Sequence, residues 1–246
     1  GAMKGVILKI CPNARLIDLS HQIEKHDIRE GGFYLMSVAG YYPKKSIHLV
    51  VIDPGVGSER EGIIIETENY FWVGPNNGVL SLAAEKDQIR KIVEISEGKY
   101  YLRPISQTFH GRDIFAPVAA HLAICRKIEN FGQPINSLIR LKIPEINIKS
   151  DGIEAEIIHI DRFGNLITNI SQKLFAENYK GQKNSVKLVV KQKNLEIPIC
   201  SSYSQVMIGE LLGIFGSYGF LEISRNQASA AEELGLQIND RLFIHK

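Results

Sequence analysis

The sequence has 246 residues, of which 44% are hydrophobic and 23% charged, and its formal net charge is +2. This composition is typical of a globular chain that can bury a full core, and it argues against intrinsic disorder. Because the charge is nearly balanced and the basic residues are scattered, nothing indicates a nucleic acid or an anionic membrane as a partner.

The three cysteines, Cys11, Cys125 and Cys200, are far apart and have neither metal-ligand nor redox spacing. Buried thiols in a reducing compartment are the simpler interpretation. No apolar stretch is long enough to span a bilayer, and no signal peptide opens the chain. The sequence therefore predicts a soluble cytoplasmic protein, and without a compact metal-ligand pattern it predicts no bound metal.

Helical and strand-like patterns alternate through the first half of the chain. Met3–Ile10 indicates the end of a helix or a buried segment, Ala14–Leu19 alternates like a strand, and Asp27–Tyr42 has helical spacing. Further strands are predicted at Ile47–Ile52, Gly62–Thr67, Tyr70–Val73 and Ile92–Ile95, and further helices at Gly78–Ala84 and Ile114–Cys125. This order predicts an α/β domain whose central sheet is flanked by helices.

The second half is a series of short strand-like segments separated by Gly, Asn and Asp. The predicted strands are Ile153–Ile160, Leu166–Ile170, Val186–Val190, Leu195–Pro198, Leu211–Phe215, Phe220–Ser224 and Arg241–His245. Such a series is typical of a small all-β, barrel-like domain. A polar, proline-containing stretch at 142–152 separates the halves, so we place the two domains at residues 1–147 and 148–246.

Asp53 and Arg60 are the first candidates for chemistry. Asp53 follows a predicted buried strand, at the edge of an open α/β sheet where ligands bind. The Pro-Gly and glycine turn at 54–57 can return Arg60 toward this carboxylate. Alternatively, Asp53 only hydrogen-bonds its own turn, and this stretch alone leaves both interpretations open.

His110 lies in a loop that directly precedes a predicted helix. Asp113 or Thr108 could cap that helix, and Gly111 would let a ligand approach the backbone closely. Taken alone, the loop is more simply interpreted as a helix cap with an incidental histidine.

Three more stretches combine polar or aromatic residues with glycine. Asn76 and Asn77 lie between Pro and Gly after a strand, and they are either ordinary turn residues or amides that bind a polar ligand. In the second half, 161–169 combines an acid, an aromatic and two amides, more than a plain β-turn needs, although a turn could contain them. The residues 217–220 and 225–229 suit a purine pocket, and they are equally at home in a loop.

Six stretches become distinctive when they are taken together and in order. They are MKGVILKICPNA at 3–14, VIDPGVGSER at 51–60, VGPNNG at 73–78, TFHGRDIFAPVAAHLA at 108–123, IDRFGNLITNI at 160–170 and GSYGFLEISRNQASAA at 216–231. Together they resemble the S-adenosyl-L-methionine hydroxide adenosyltransferase family, the hydrolytic relatives of the fluorinase and chlorinase. The resemblance covers essentially the whole chain.

The resemblance implies a reaction in which water or hydroxide attacks C5′ of S-adenosylmethionine in line, giving adenosine and L-methionine. The family's Asp–Arg–His triad matches Asp53, Arg60 and His110, which are expected to bind and polarise the water. Which of Asp53 and His110 takes the proton stays open at this point. No cofactor is implied, because S-adenosylmethionine is the substrate.

The resemblance also implies a homotrimer, in which the first domain of one subunit and the second domain of its neighbour share each substrate pocket. The residues matching the motif that holds the methionine part are Asp161, Phe163 and Asn165, and the aromatic near the adenine or ribose is Tyr203. The loop expected to bind the methionine carboxylate and the adenine edge contributes Ser217, Arg225, Asn226 and Gln227, with Asn76, Asn77 and Gly111 lining the same region.

One feature departs from the family pattern. Family members begin with a strand ending in a Thr-Asp-Phe-Gly-like motif, whose acid binds the ribose diol, and no such motif precedes Met3 here. If the natural chain continues upstream, the motif is simply not included; if not, a nucleoside- or S-adenosylmethionine-binding protein without turnover becomes a plausible alternative. A second alternative, independent of this feature, is an S-adenosylmethionine-dependent halogenase. The halogenating branch lacks the Asp–Arg–His trio, so the trio favours water over halide as the nucleophile.

Overall fold

The computed structural model of the chain describes residues 1–179, 185–191 and 193–246. The chain divides into two compact units, Gly1–Leu141 and Lys142–Lys246. The division predicted from the sequence, after residue 147, falls inside a short strand, β5 (Asn147–Lys149), of the second unit. The polar composition of 142–152 hides that strand from sequence patterns.

The first unit is built on a four-stranded mixed sheet. Its strands are β1 (Ile47–Leu49), β2 (Gly62–Thr67), β3 (Phe71–Pro75) and β4 (Ile89–Glu94), and their order in the sheet is β1-β3-β2-β4. β1 runs parallel to β3, whereas β2 is antiparallel to both β3 and β4. The predicted hairpin between β2 and β3 is present, and its turn is closed by the Thr67 amide, which donates to the Tyr70 carbonyl.

Helices supply the apolar partners for both faces of this sheet. They are α1 (Ala2–Ile10), α2 (Ile28–Val38), α3 (Ser81–Lys86) and α4 (Ala116–Cys125). Successive residues of a strand point to opposite faces. Accordingly, Ile63 and Ile65 of β2 pack in one core with Leu35 of α2, and Ile64 packs in the other with Val118 of α4. The predicted central sheet with flanking helices is therefore present.

Ala14–Leu19 is not a strand, and that prediction was wrong. Ala14 and Leu16 pack on a cluster between α1 and α4, while Leu19 packs on the core around α2 and α3. The apolar residues of this irregular stretch thus cover helices without joining a ladder. The helix predicted from Gly78 begins only at Ser81, because Gly78 has a φ of +103°, which is outside helical backbone.

The helix predicted at Ile114–Cys125 begins three residues earlier than expected and in a different form. A π-helical turn at Gly111–Phe115 leads directly into α4, and Pro117 lies in the first turn of α4. His110 immediately precedes this π-helical turn, so the turn fixes the backbone position from which its side chain extends.

The second unit is a closed barrel of seven strands with β5 added at one edge. The barrel strands are β6 (Gly152–Ile160), β7 (Leu166–Ser171), β8 (Ser185–Val190), β9 (Lys193–Cys200), β10 (Leu211–Phe215), β11 (Phe220–Arg225) and β12 (Arg241–His245). The sheet closes because β12 pairs with both β6 and β8. Its interior is filled by alternate apolar residues such as Ile153, Leu188, Leu221, Ile223 and Ile244.

Two short helices correct the prediction that this unit is all-β. They are α5 (Gln172–Asn178) and α6 (Ala230–Leu234), and they begin after Ser171 and Ser229, whose side chains accept backbone N–H groups of the first turn. Each helix is too short to establish a helical apolar period, which is why the sequence pattern missed both. None of the helices in the described ranges reaches the length and apolarity that crossing a membrane requires.

His48 of β1 is a buried histidine that the sequence analysis did not single out. It is 4% exposed, its ring stacks on Trp72 with centroids 4.6 Å apart, and Tyr42 and Tyr70 contact it edge-on. Within the described residues its Nε2 atom is buried without a hydrogen-bond partner. Burial lowers the pKa of His48 from 6.5 to about 4, although the nearby charge of Asp87 acts in the opposite direction.

We predict that His48 makes the fold sensitive to mild acid. Between pH 6.5 and about 4 the unfolded chain binds a proton that the folded chain excludes, so stability is complete above this window and is lost as pH falls through it. The loss from this one group is roughly 3 kcal/mol, at 1.36 kcal/mol for each unit of pKa difference. Urea unfolding measures the free energy of unfolding at pH 7 and pH 4.5. His48→Phe should lose less of this free energy at pH 4.5 than the wild type does, whereas the exposed control His21→Gln should lose as much as the wild type.

Candidate active site

A tight turn after β1 brings Arg60 back onto Asp53. Two backbone bonds close it, from the Val56 amide to the Asp53 carbonyl at 3.2 Å and from the Ser58 amide to the Gly55 carbonyl at 3.1 Å. Arg60 Nε then donates to both Asp53 carboxylate oxygens, at 2.9 and 3.0 Å, and Arg60 Nη2 donates to Oδ2 as well. The Asp53 side chain is only 5% exposed, so this is a nearly buried ion pair.

His110 joins this pair through the same guanidinium. Arg60 Nη2 lies 3.0 Å from His110 Nδ1. A guanidinium has only donors, so Nδ1 must accept, and a neutral ring then carries its proton on Nε2. Burial lowers the pKa of His110 below 6.5, the positive charge of Arg60 lowers it further, and Asp53 and Asp113 partly oppose these effects. The structure therefore holds His110 neutral in one tautomer.

Residues of the π-helical turn support the trio. The guanidinium carbon of Arg60 lies 5.1 Å from the centre of the Phe115 ring, an arrangement that favours a cation. Asp113 does not cap the helix, as the sequence suggested; it is fully buried, pairs with Arg112, and accepts the Ser106 amide at 2.8 Å. The bond to Arg112 lowers the pKa of Asp113, which keeps it charged despite burial.

A cleft of about 340 Å³ in the first unit opens beside the trio. Asp53, His110 and Gly111 line it on one side, and the irregular stretch 23–26 lines it on the other. A Cβ at position 111 would lie 3.1 Å from Met3 Sδ and 3.4 Å from Val51, so this glycine is closely packed against its surroundings. The arrangement can hold a small polar molecule between a carboxylate and a neutral imidazole.

Asn76 and Asn77 use their amides inside the first unit. Asn76 donates to the Glu61 carboxylate at 2.9 Å and accepts the Ile139 amide at 2.9 Å. Asn77 donates to the Ile52 carbonyl at 2.8 Å and accepts the Val79 amide at 3.2 Å. The prediction that they bind substrate gains no support from these contacts. Asn77 instead anchors the residue immediately before Asp53.

The Asp161 motif of the second unit is a turn held by its own acid. Asp161 accepts the backbone amides of Phe163 and Asn165 through Oδ1, and the Asn165 side-chain amide through Oδ2, all at 2.9 Å. Phe163, in the middle of the turn, is 79% exposed, whereas Asn165 is buried. The structure thus brings these three predicted residues together and presents an aromatic ring to solvent.

Two of the remaining predicted residues contact the segment 203–209. Arg225 donates from Nε to the Gly209 carbonyl at 2.6 Å and pairs with Glu233, and Asn226 donates to the Val206 carbonyl at 2.8 Å. Ser217 and Gln227 are exposed. Arg225 and Asn226 therefore hold the segment that follows Tyr203, a role that the sequence analysis did not assign to them.

Glu222 of β11 was missed entirely. Its neighbours in sequence, Leu221 and Ile223, point into the barrel, so an acid between them looked like an ordinary outward-facing residue. It is nevertheless only 4% exposed, and the Tyr203 hydroxyl lies 3.4 Å from Oε2. The described residues contain no group of three His, Cys, Asp or Glu side chains placed to hold a metal ion.

Comparison with known proteins gives the same family for both units. The family described as SAM hydroxide adenosyltransferase N-terminal domain matches residues 1–132, and the one described as the C-terminal domain matches residues 155–243. A relative from Methanocaldococcus jannaschii, named (R)-S-adenosyl-L-methionine hydrolase, is 36% identical over 99% of this chain and 89% of its own length.

Two further similarities extend this result. A fluorinase from an Actinoplanes species is 23% identical over 99% of this chain and 91% of its own length. The crystal structure of a conserved protein from Thermotoga maritima superimposes with a TM-score of 0.93 at 34% identity, covering 100% of this chain and 94% of that one. On these matches, the chain belongs to the SAM hydroxide adenosyltransferase family.

Proposed function

We propose that this chain hydrolyses S-adenosylmethionine to adenosine and L-methionine. The observation that carries the proposal is the single guanidinium of Arg60 that joins Asp53 and His110 at the wall of a cleft. Three residues from separate stretches of the sequence thus meet where one water molecule could be held. The activity named for the relative with 36% identity supports the same reaction.

The reaction needs a well-placed water more than it needs an acid. The water oxygen forms a bond to C5′ while the C5′–S bond breaks, and the bonding electron pair goes to sulfur. Sulfur leaves as the neutral thioether of methionine, because the sulfonium was already positive. One proton of the water must be lost, so the protein has to orient the water, strip its other neighbours and accept that proton.

Asp53 is the group that we assign to accept this proton. Arg60 binds both of its oxygens, yet Oδ1, which accepts a single bond from Nε, keeps a further lone pair for a water hydrogen. His110 Nδ1 is already occupied by Arg60. We therefore assign to His110 the positioning of the water oxygen through its Nε2–H group.

A halide ion is poorly suited to the position that we propose for the attacking water. A nearly buried carboxylate at Asp53 repels an anion, whereas it attracts the hydrogens of water. The fluorinase relative is also the more distant one, at 23% identity against 36% for the relative named as a hydrolase. Incubation with S-adenosylmethionine and chloride or fluoride tests this alternative, and a halogenated nucleoside product would contradict the proposal.

The predicted homotrimer rests on the family resemblance and the predicted cytoplasmic location on the sequence composition, and both stay predictions. Light scattering after size-exclusion chromatography measures the first, with three times the mass of 27.6 kDa as the expected result.

We predict that Asp53→Asn and His110→Ala each reduce kcat for methionine release at least 100-fold, because each removes a partner of the water; positioned proton transfer contributes about 10² to 10⁴. The control is Asp18→Asn, which removes an equal charge at an exposed position. Adenosine and methionine are measured by chromatography. If either site variant keeps its activity within about twofold of wild type, the activation free energy has changed by less than ~0.4 kcal/mol, and the trio does not act on water.

We also predict that Arg60 sets the titration of His110. Arg60→Gln removes the positive charge that lowers the pKa of His110, so the midpoint should move upward toward 6.5. Nuclear magnetic resonance of the histidine ring protons measures the midpoint directly, and His21, which is exposed, serves as the internal reference. An unchanged His110 midpoint in the variant would mean that the guanidinium and the imidazole do not interact in solution.

A further inference from the structure

The loop after β3 holds both ends of the turn 53–60. Ile52 precedes this turn and Glu61 follows it. Asn77 Nδ2 donates to the Ile52 carbonyl at 2.8 Å, and Asn76 Nδ2 donates to Glu61 Oε2 at 2.9 Å. The backbone amide of Asn76 also donates to the Glu61 carbonyl at 2.9 Å. Two consecutive asparagines therefore connect one end of the turn to the other.

Both asparagines are themselves anchored through their side-chain oxygens. Asn77 Oδ1 accepts the Val79 amide at 3.2 Å, and Asn76 Oδ1 accepts the Ile139 amide at 2.9 Å. Gly78 has a φ of +103°, a conformation that favours glycine and allows the chain to bend immediately after the pair. Each side chain thus uses its oxygen to fix itself and its NH2 group to hold the turn.

Ile52 is a rigid point at the start of the turn. The strand β1 ends at Leu49, three residues earlier. A Cβ on Gly31 of α2 would collide with Ile52 Cδ1, so the Ile52 side chain packs directly on the helix backbone. Because Asn77 holds the carbonyl of the same residue, both its side chain and its backbone are fixed. The direction in which the chain continues to Asp53 is fixed with them.

The trio tolerates little movement of this turn. Arg60 must reach two partners at once: its Nε atom lies 2.9 Å from Asp53 Oδ1, and its Nη2 atom lies 3.0 Å from His110 Nδ1. Hydrogen bonds weaken steeply when they are misaligned, and the guanidinium is a rigid plane. A shift of either end of the turn therefore breaks one contact or the other.

We propose that Asn76 and Asn77 are positioning residues, which hold both ends of the turn so that Arg60 contacts Asp53 and His110 at the same time. This proposal rests on the proposed function, because the trio is assigned to the attacking water. The asparagines act on the reaction through the turn, from contacts within the first unit. Misplacement of a reacting group by about 1 Å can cost about 100-fold in rate.

The test uses one variant at each end of the turn and a matched control, all in the full chain. Asn77→Ala removes the amide at the first end, and Glu61→Ala removes the carboxylate that Asn76 holds at the second. The control, Asn69→Ala, removes a half-buried amide that bonds Asp87 just before β3, at the opposite end of the same strand. It therefore reports what a lost amide bond costs in stability alone.

The first readout is the steady-state kinetics of methionine release. For both turn variants we expect kcat to fall at least about tenfold, while KM stays within about threefold of wild type, because the trio is displaced and the substrate contacts are not. The control should keep the wild-type kcat even where its melting temperature falls as far as that of the turn variants.

The second readout is the titration midpoint of His110 in the ligand-free protein. Nuclear magnetic resonance measures it, and His110→Ala assigns the signal by its absence. Arg60 lowers the pKa of His110 more than Asp53 raises it, with Asp113 the other acid that acts on the ring. Displacing the turn should therefore move the midpoint upward toward 6.5. The lost charge of Glu61 alone would move it downward, so an upward shift reports position.

Three outcomes would overturn the proposal: a wild-type kcat and midpoint in the turn variants; a raised KM alone, which would place the asparagines on the substrate; and equal changes in Asn69→Ala, which would indicate general loosening. Each asparagine is judged by the variant at its own end. If Asn77→Ala does not fold, Glu61→Ala decides. A wild type that releases no methionine would overturn the hydrolysis, and the midpoints, which need no turnover, would still decide this proposal.

Discussion

The guanidinium of Arg60 is the interaction on which the candidate site depends. It contacts the carboxylate of Asp53, the Nδ1 atom of His110 and the face of the Phe115 ring. A guanidinium only donates hydrogen bonds, and its donors form a rigid planar fork, so it can join an acid and a neutral imidazole in one fixed geometry. The ammonium group of a lysine is a compact point charge without this fork. The tautomer of His110 and the orientation of Asp53 are consequences of this one side chain.

The fold brings the guanidinium into place with a few backbone devices near the turn. Gly57 has a φ of +80°, and a Cβ there would lie 2.6 Å from the Gln107 carbonyl, so the turn packs directly on the loop that leads to His110. On the other side, Asn77 holds the Ile52 carbonyl at 2.8 Å. The turn is thus fixed from two directions, and the unusual density of Gly, Pro and Asn around the site has a geometric reason.

Sequence patterns predicted what alternation and turn chemistry determine, and failed where a side chain's partner comes from a distant part of the chain. The barrel strands were predicted because short strand-like segments are separated by Gly, Asn and Asp. Ala14–Leu19 alternates like a strand, but helices and not strands lie beneath it. The amides of Asn76 and Asn77 suit a ligand or a turn equally well in sequence; the structure shows their backbone partners, and their role in substrate binding stays a prediction. The sequence did not single out Glu222, because alternation indicates which face of a strand a residue occupies and does not indicate what covers that face.

The two units place a buried carboxyl in opposite electrostatic surroundings. Asp53 has its cation supplied by the protein, at hydrogen-bonding distance. Glu222 faces another acid, Asp161, so its charge is opposed and not balanced. A paired cation favours the charged form of a carboxyl group, whereas burial and a nearby acid favour the neutral form. The cation that the protein supplies at Asp53 and withholds at Glu222 therefore gives the two buried carboxyl groups different electrostatic environments.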